Sequence, residues 1–305
     1  MNHALRFDNV VKRYGRRRAL DHLSLSVPAG SITGLVGSNG AGKTTLMAAA
    51  AGFLRIHTGT IDLLGQGPFH PDVHCGRLSL LPQDAELPRD ATPRNLLVFY
   101  AELQGLPRSQ ARSQTDLLLQ RVHLADRARS PIRSLSHGMR KRVMIAQCFL
   151  GQPELILLDE PLSGLDPREA ASMKAFFTEE RGRRTLLISS HNLHEIEQMC
   201  DYVIFVEQGR TVRQDTLDAV TGRSALLTYR FADGPAPDPS TLQTSLPSLQ
   251  VDYDPATRLL TCRYDETTHT PESINRTLLP LLLQTGCNLL EIQRGQRLER
   301  TYLHP

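Results

Sequence analysis

The 305-residue sequence contains few cysteines and no long apolar run. The five cysteines are scattered and form no C-x-x-C pair, so neither a disulfide framework nor a zinc site is indicated. Such a set suits a reducing cytoplasm. No N-terminal signal pattern is present, and the best apolar stretch, Leu278 to Leu283, is interrupted by Pro280. Because a membrane-spanning helix needs roughly 18 apolar residues, another subunit must cross the membrane if this chain works there.

The sequence also lacks a strong excess of one charge. Its formal net charge is +3 and its pI is near 8.7, which is too mild to predict a nucleic-acid partner. The basic run from Lys12 to Arg18 favours a solvated hairpin, with a patch for a polyanion or a membrane surface as the alternative. The composition, 40% hydrophobic and 22% charged, is ordinary for a globular protein. The length allows one large domain and a small one.

The most informative stretch fits the spacing G-x-x-x-x-G-K-[ST], which predicts a phosphate-binding loop. We call it the cradle, and it consists of Gly37, Ser38, Asn39, Gly40, Ala41, Gly42, Lys43, Thr44 and Thr45. Its glycines let backbone N–H groups approach phosphate oxygens. Lys43 can reach the β- and γ-phosphates, and the Thr44 hydroxyl can ligate Mg²⁺. A buried strand over 31–36 and a helix over 46–51 flank the cradle, which argues against an ordinary glycine-rich turn.

Two carboxylates follow a second apolar strand. Residues 154–158 are mostly apolar and predict a buried parallel strand, after which come Asp159 and Glu160. In open α/β sheets, ligands bind at the carboxyl ends of the strands. Asp159 is therefore placed to hold Mg²⁺, and Glu160 to orient or deprotonate the water that attacks the γ-phosphorus. An Asp-Glu pair alone is more often a helix N-cap, but the cradle reverses that preference.

The alternation of elements predicts a doubly wound α/β domain followed by a smaller α+β unit. The predicted domains are 1–222, with a helical subdomain at about 84–150, and 223–305. Strands are predicted at 5–7, 23–27, 59–63, 77–81, 185–190 and 202–206. Helices are predicted over much of 92–126, over 139–150 with an amphipathic pattern, over 167–181, and from His191-Asn192. In the second unit, strands are predicted at 249–253, 259–264 and 289–292, and a helix at about 271–285.

Several motifs together resemble those of ABC transporter ATPases. Leu135-Ser136-His137-Gly138-Met139, which we call the signature segment, resembles the family signature L-S-G-G-Q. Gln83 resembles the Q-loop glutamine, His191 the switch histidine, and Tyr14 the A-loop aromatic that stacks on adenine. Ser163-Gly164-Leu165-Asp166 resembles the D-loop. The resemblance covers residues 1 to about 222 and implies a P-loop NTPase fold with an antiparallel β subdomain, a helical subdomain and a small C-terminal α+β appendage.

The resemblance also implies how the residues divide the work. ATP and Mg²⁺ are the implied ligands, with Thr44, Gln83 and Asp159 around the metal. Glu160 and His191 are the implied catalytic residues. In this family the signature closes over the nucleotide bound by the opposite protomer, so Ser136, His137, Gly138 and Met139 are expected to act in trans in a head-to-tail homodimer.

The signature segment departs from the family pattern at two positions. His137 stands in place of a glycine and Met139 in place of the glutamine; we expect His137 to add bulk at the dimer seam. A Gly-Met ending followed by basic residues at 140–142 is similar to ABC-2 type exporters, as is the tail at 297–303. The expected function is therefore ATP hydrolysis for a separate transmembrane permease that exports a drug, antibiotic, lipid or polysaccharide. The expected location is the cytoplasm, peripheral on the inner face of the membrane, and no nucleic-acid partner is expected.

Two alternatives come from other classes of protein. A soluble ABC-type ATPase acting on ribosomes or nucleic acid is one, although such proteins usually carry two ATPase halves or long coiled coils. This chain has one cradle and no sustained heptads. A standalone P-loop switch or kinase is the other, but it would not need the signature segment.

Overall fold

The structure, a computed structural model, describes residues 2–222, 225–265, 267–295 and 298. The chain divides into two compact units between Asp215 and Thr216. The boundary expected after residue 222 lies beyond a short helix, Leu217–Thr221, that belongs to the second unit. Among the described residues, no helix combines the length and apolar character that crossing a bilayer requires.

The first unit alternates strands and helices along most of its length. Its strands are β1 (His3–Tyr14), β2 (Arg17–Pro28), β3 (Ile32–Val36), β4 (Thr58–Leu63), β5 (Leu78–Leu81), β6 (Leu155–Asp159), β7 (Thr185–Ser190), β8 (Tyr202–Glu207) and β9 (Arg210–Thr216). Its α-helices are α1 (Lys43–Ala50), α2 (Pro71–His74), α3 (Pro93–Leu103), α4 (Arg108–Arg121), α5 (His137–Cys148), α6 (Pro167–Thr178) and α7 (Leu193–Met199). Short 3₁₀ turns lie at Ala125–Arg127 and Ile132–Ser134.

The central sheet of this unit has the strand order β5-β6-β7-β3-β8-β9. The pairs β5–β6, β6–β7, β7–β3 and β3–β8 are parallel. Strands β3, β6 and β7 are buried along their whole length, as expected where both faces of a parallel sheet are covered. Because parallel strands end at the same edge, the segments that follow β3, β6 and β7 meet there.

A second sheet, with the order β2-β1-β4, is antiparallel and confirms the predicted β subdomain. The basic run forms the tight hairpin between β1 and β2, in which Tyr14 pairs with Arg17. Gly15 takes a positive φ of 57° in the turn. The hairpin is exposed from Arg13 to Arg18, in agreement with its predicted solvation.

Helices α3, α4 and α5 occupy the predicted helical stretch. An ion pair from Arg94 to Asp116 joins α3 to α4, with N–O distances of 2.6 and 2.7 Å. Helix α5 begins at His137, earlier than the predicted start at 139, because Ser136 caps it. The amphipathic pattern predicted for α5 understates its burial, since Lys141 and Arg142 are buried as well as the apolar residues.

The second unit is small and mixes helices with an antiparallel sheet. Its elements are α8 (Leu217–Thr221), β10 (Leu226–Phe231), α9 (Pro239–Ser245), β11 (Gln250–Asp254), β12 (Leu259–Arg263), α10 (Pro271–Gln284) and β13 (Leu289–Arg294). The strand order is β11-β12-β10-β13. Leu260, Cys262 and Tyr264 are buried in its core, as their spacing predicted. The exporter-like tail at 297–303 lies outside the described residues apart from Leu298.

Candidate functional site

A cleft of about 510 Å³ opens where the parallel strands end. It brings together residues from the cradle, the carboxylate pair and four of the separate family motifs. The cleft is lined by Tyr14, Arg17, Ala19, Asn39, Gly40, Gly42, Lys43, Thr44, Thr45, Gln83, Asp159, Glu160, Ser163 and His191. Gly37, Ser38 and Ala41 lie in the same loop but do not line the cleft wall.

The cradle connects β3 to the start of α1. Gly42 is the N-cap of α1 with φ 108°, and no side chain caps the helix. A Cβ at Gly42 would lie 2.6 Å from the Ala19 carbonyl oxygen, so the position admits only glycine. The first-turn N–H groups therefore remain available, and the helix dipole places positive potential on them. This end of α1 is suited to bind an anion.

Lys43 places a cation inside this loop. Its ammonium donates to the carbonyl oxygens of Gly37 at 2.7 Å and Ser38 at 3.3 Å, and the residue is buried. The loop thus holds the charge at its centre rather than in solvent. A phosphate bound at the start of α1 would meet both the lysine and the free N–H groups.

The Asp159 carboxylate, at the end of β6, accepts hydrogen bonds from side chains of α1 and β7. Its carboxylate accepts from the Thr44 hydroxyl at 2.6 Å and from the Ser189 hydroxyl at 2.5 Å. Gln83 lines the same cleft. A hydroxyl, a carboxylate and an amide oxygen are the hard donors that Mg²⁺ prefers. The three predicted metal-binding residues therefore fit this ion chemically.

Glu160 is held in an unusual backbone conformation. Its φ is 49°, in the left-handed region that costs a non-glycine residue on the order of 1 kcal/mol or more. Its N–H donates to the Ser189 hydroxyl at 2.9 Å, and its Oε2 lies 2.9 Å from His191 Nδ1. Because an ionised carboxylate can only accept, Nδ1 carries the proton in that bond. The structure thus brings together the two predicted catalytic residues, which are separated by the whole of α6 and β7.

Helix α5 also directs a cation toward this edge of the sheet. Burial lowers the pKa of the Lys141 ammonium, while the nearby carboxylates of Asp159 and Glu160 oppose that shift. Sequence reasoning treated this lysine only as part of a basic run. Lys141 is only 5% exposed, and it does not line the cleft.

The hairpin supplies the outer wall of the cleft. Tyr14 lines it with its ring about half exposed, which leaves a face open for stacking. Arg17 lines it as well, and its guanidinium donates to the Gly40 carbonyl oxygen at 3.2 Å. Arg17 and Ala19 were not predicted as site residues. The hairpin register that pairs Arg17 with Tyr14 is the signal that could have found the arginine.

The signature segment and most of the D-loop lie elsewhere. Within the described chain, none of the residues from Ser136 to Met139 lines the cleft, and of the D-loop only Ser163 does. The Ser136 hydroxyl accepts the Met139 N–H at 3.1 Å and so caps α5. Asp166 caps α6 by accepting from the N–H groups of Arg168 and Glu169 at 3.0 and 2.8 Å.

Comparison with known proteins agrees with this arrangement. A family model described as ABC transporter matches residues 20–163. The chain is 36% identical over 217 residues to the daunorubicin resistance ATP-binding protein DrrA3 of Streptomyces coeruleorubidus, covering 70% of this chain and 69% of that protein. It is 32% identical over 246 residues to the Nod factor export ATP-binding protein I of Burkholderia orbicola, covering 79% of each.

Solved structures give the same result. The ATP-binding subunit of an ABC transporter superimposes with a TM-score of 0.65 at 27% identity, covering 72% of this chain and 92% of that one. A bacterial Atm1-family ABC exporter with ATP bound also gives a TM-score of 0.65 at 27% identity, covering 73% of this chain and 40% of that one. These neighbours confirm the predicted P-loop NTPase fold.

The relatives do not favour the alternative of a soluble ATPase acting on ribosomes or nucleic acid. ATP-binding subunits of the matched family bind nucleotide, dimerise and work with transmembrane partners. The chain belongs to the ABC transporter family, as an ATP-binding subunit with ATPase activity.

Proposed function

We propose that this chain is the ATP-hydrolysing subunit of an ABC exporter. It works as a head-to-tail homodimer on a separate transmembrane permease, at the cytoplasmic face of the membrane. Export is supported by the relatives named for daunorubicin resistance and Nod factor export and by the Atm1-family exporter. Drugs, antibiotics, lipids and polysaccharides are the cargo classes that we propose.

The observation that carries the proposal is the pairing of Glu160 with His191 beside the cradle. Lys43 and the start of α1 bind the terminal phosphates of ATP and offset their charge. Glu160 accepts a proton from the attacking water or orients it in line with the γ-phosphorus. His191 fixes the Glu160 carboxylate through Nδ1. Its second ring nitrogen can donate to the γ-phosphate when both ring nitrogens carry a proton.

The polar groups around Asp159 support a magnesium site. We propose that Thr44, Gln83 and Asp159 hold the ion. When bound, the ion would supply positive charge that offsets the negative charge developing on the phosphates during transfer. The hydrogen bond from Thr44 to Asp159 keeps these two ligands within reach of one ion.

The outer wall of the cleft binds the nucleoside end of ATP. We assign Tyr14 to stacking on adenine, because its exposed ring borders the cleft. Arg17 adds a cation on the same wall, next to the cradle carbonyl of Gly40. This wall is built on exposed hairpin residues, so it can adjust when the nucleotide enters.

The position of the signature segment supports dimerisation. Ser136 and Gly138 begin a second helix whose first-turn N–H groups suit an anion, yet they do not line the cleft of their own protomer. In the homodimer they complete the partner's cleft, with His137 and Met139 beside them. ATP then holds the two protomers together, and its hydrolysis releases them.

The test is Glu160→Gln, which keeps the size of the side chain and removes its basicity. We expect ATP to bind normally while turnover falls by about a hundredfold to ten-thousandfold. A nucleotide-locked dimer should then accumulate, as measured by light scattering with and without ATP.

A matched control is Glu179→Gln on an exposed glutamate that pairs with Arg121. It should hydrolyse ATP at the normal rate and show no locked dimer. Normal hydrolysis by Glu160→Gln would remove Glu160 from its proposed role. A protein that stays monomeric when ATP saturates Glu160→Gln would overturn the homodimer.

A further inference from the structure

His137 contacts the D-loop of its own protomer. It is the first residue of α5, and a Cβ added to Gly164 would lie 2.7 Å from its Nε2 and 2.9 Å from its Cδ2. Those separations are too short for real atoms, so the imidazole occupies the space that a side chain at 164 would need. Gly164 also has a φ of 78°, which favours glycine. A large residue in the signature segment is thus matched by the smallest residue in the D-loop.

A second contact joins the same two segments. Glu169, in the first turn of α6, lies so close to Gly138 that a Cβ there would collide with its carboxylate. The other carboxylate oxygen of Glu169 accepts from the buried Arg142 guanidinium at 2.7 Å. The start of α5 and the start of α6 are therefore packed together around the turn that contains Gly164.

That turn begins at the proposed catalytic carboxylate. The Ser163 N–H donates to the Glu160 carbonyl oxygen at 3.3 Å, and the Leu165 N–H to that of Leu162 at 3.2 Å. Ser163 also lines the nucleotide cleft. Glu160 keeps its left-handed backbone only if the chain that follows it is held in place.

We propose that His137 is a positioning residue for the ATPase site of its own protomer. By resting on Gly164 it holds the turn from Glu160 to Leu165, and so keeps the Glu160 carboxylate and Ser163 aligned with the cleft. This rests on the proposed catalytic role of Glu160. The signature segment thereby serves two sites, its own through His137 and the partner's through Ser136 and Gly138.

The first variant is His137→Gly, which removes the ring and leaves the cradle untouched. We expect kcat to fall about tenfold, because misplacing a catalytic group by a fraction of an ångström has effects of this order. The Kd for ATP should stay within about twofold, since no cradle atom changes. His137→Ala, which keeps a better helix former at this position, should give the same split between kcat and Kd.

The decisive measurement is a double-mutant cycle with Gly164→Ala. In the presence of His137 the added methyl meets the ring, and kcat should fall by about tenfold or more. In the His137→Gly background the methyl enters the space that the imidazole left. The double variant should therefore be at least about tenfold more active than the product of the two single effects.

Gly182→Ala is the matched control for backbone strain. Gly182 has nearly the same φ, 76°, but a Cβ there would meet no described atom within 4 Å. It should carry the same conformational cost without any dependence on residue 137. Thermal unfolding of every variant separates a loss of folding from a loss of alignment.

Additive effects on kcat, or a Kd for ATP that changes as much as kcat, would overturn the positioning role. That outcome together with an inactive Glu160→Gln would leave the proposed function intact. A fully active Glu160→Gln would instead remove the catalytic assignment on which the inference rests.

Discussion

Two helices of this protein have N-termini suited to bind a phosphate group, and they differ in whether a side chain caps that N-terminus. Helix α1 begins after Gly42 with no side-chain cap, and Lys43 is folded into its own loop. Helix α5 begins after Ser136, whose hydroxyl accepts from one of its own first-turn N–H groups. Both first turns lack acidic residues. The helix dipole acts at both ends, but the Ser136 hydroxyl occupies one first-turn N–H of α5, whereas no side chain caps α1.

The difference follows from where each helix lies. The start of α1 lies inside a cleft that also holds Asp159 and Glu160, so it can bind the triphosphate within one protomer. The start of α5 lies outside that cleft and contacts the D-loop through His137. The Ser136 hydroxyl accepts an N–H group of its own helix. Substitutions at the two ends should therefore differ in size and in kind.

Lys43→Ala should have the largest effect. It removes the cation at the centre of the cradle, and charge-assisted hydrogen bonds of this kind contribute about 1.5–3 kcal/mol each. We expect ATP affinity to fall by roughly a hundredfold and hydrolysis to become undetectable. Equilibrium binding of a fluorescent ATP analogue measures the first, and phosphate release measures the second.

Lys174→Ala is the control for this change. Lys174 lies on α6 and contacts Gln198 rather than the cradle. Its removal changes the net charge equally but should leave affinity within about twofold, because exposed charges contribute little. If both variants lost the same ATP affinity, the loss would be a general effect of net charge. Lys43 would then have no specific role at the start of α1.

The fold around α1 could be predicted because its signals are local. Strands β3, β6 and β7 are continuous apolar runs, and each of them delivers a predicted site residue to the same edge. Strand β9 was not predicted, since its sequence is mostly polar and its burial does not alternate. It forms at the end of the sheet beside β8, where pairing rather than apolar spacing stabilises it.

The second unit also contains a strand that its sequence pattern did not predict. Strand β10 was missed although Tyr229 and Phe231 are buried in its core. Leu227, Tyr229 and Phe231 alternate there with polar residues, but no strand was predicted from this short pattern. Its place in the sheet depends on antiparallel pairing with β12 and β13, which are far along the chain.

At the site, motif spacing located the cradle and the carboxylates but not the contacts between motifs. The packing of His137 on Gly164 joins segments that are separated by β6, so no local pattern contains it. The left-handed backbone of Glu160 has no sequence signal either, because its residue type does not favour that region. The sequence pattern predicted His137 only as added bulk at a dimer seam.

Ser136→Ala should have an intermediate effect and tests the second helix. Loss of the cap should lower the free energy of unfolding by about 1 kcal/mol. We also expect turnover to fall by about tenfold, because the hydroxyl also contacts the partner's phosphate in the proposed dimer. Chemical denaturation and steady-state hydrolysis measure the two effects separately.

Thr92→Ala removes a comparable cap at the start of α3, where the Thr92 hydroxyl accepts the Asn95 N–H at 3.3 Å. It should cost a similar free energy of unfolding and leave turnover almost unchanged. Equal losses of turnover in the two variants would mean that Ser136 is a cap and nothing more. The two phosphate-binding helix ends would then no longer be comparable.

Arg17→Ala should have the smallest effect, on the outer wall beside α1. Its guanidinium donates to the Gly40 carbonyl oxygen and borders the cleft, but the side chain is exposed, so solvent screens its charge. We expect the Kd for ATP to rise about threefold to fivefold with kcat unchanged, and the difference to shrink at high salt. Arg16→Ala, at the adjacent tip of the hairpin, removes the same charge from a residue that does not line the cleft. If the Kd rises for Arg17→Ala but not for Arg16→Ala, Arg17 contacts the bound nucleotide. If the Kd rises equally for both variants, the two arginines act only through the net positive charge of the hairpin.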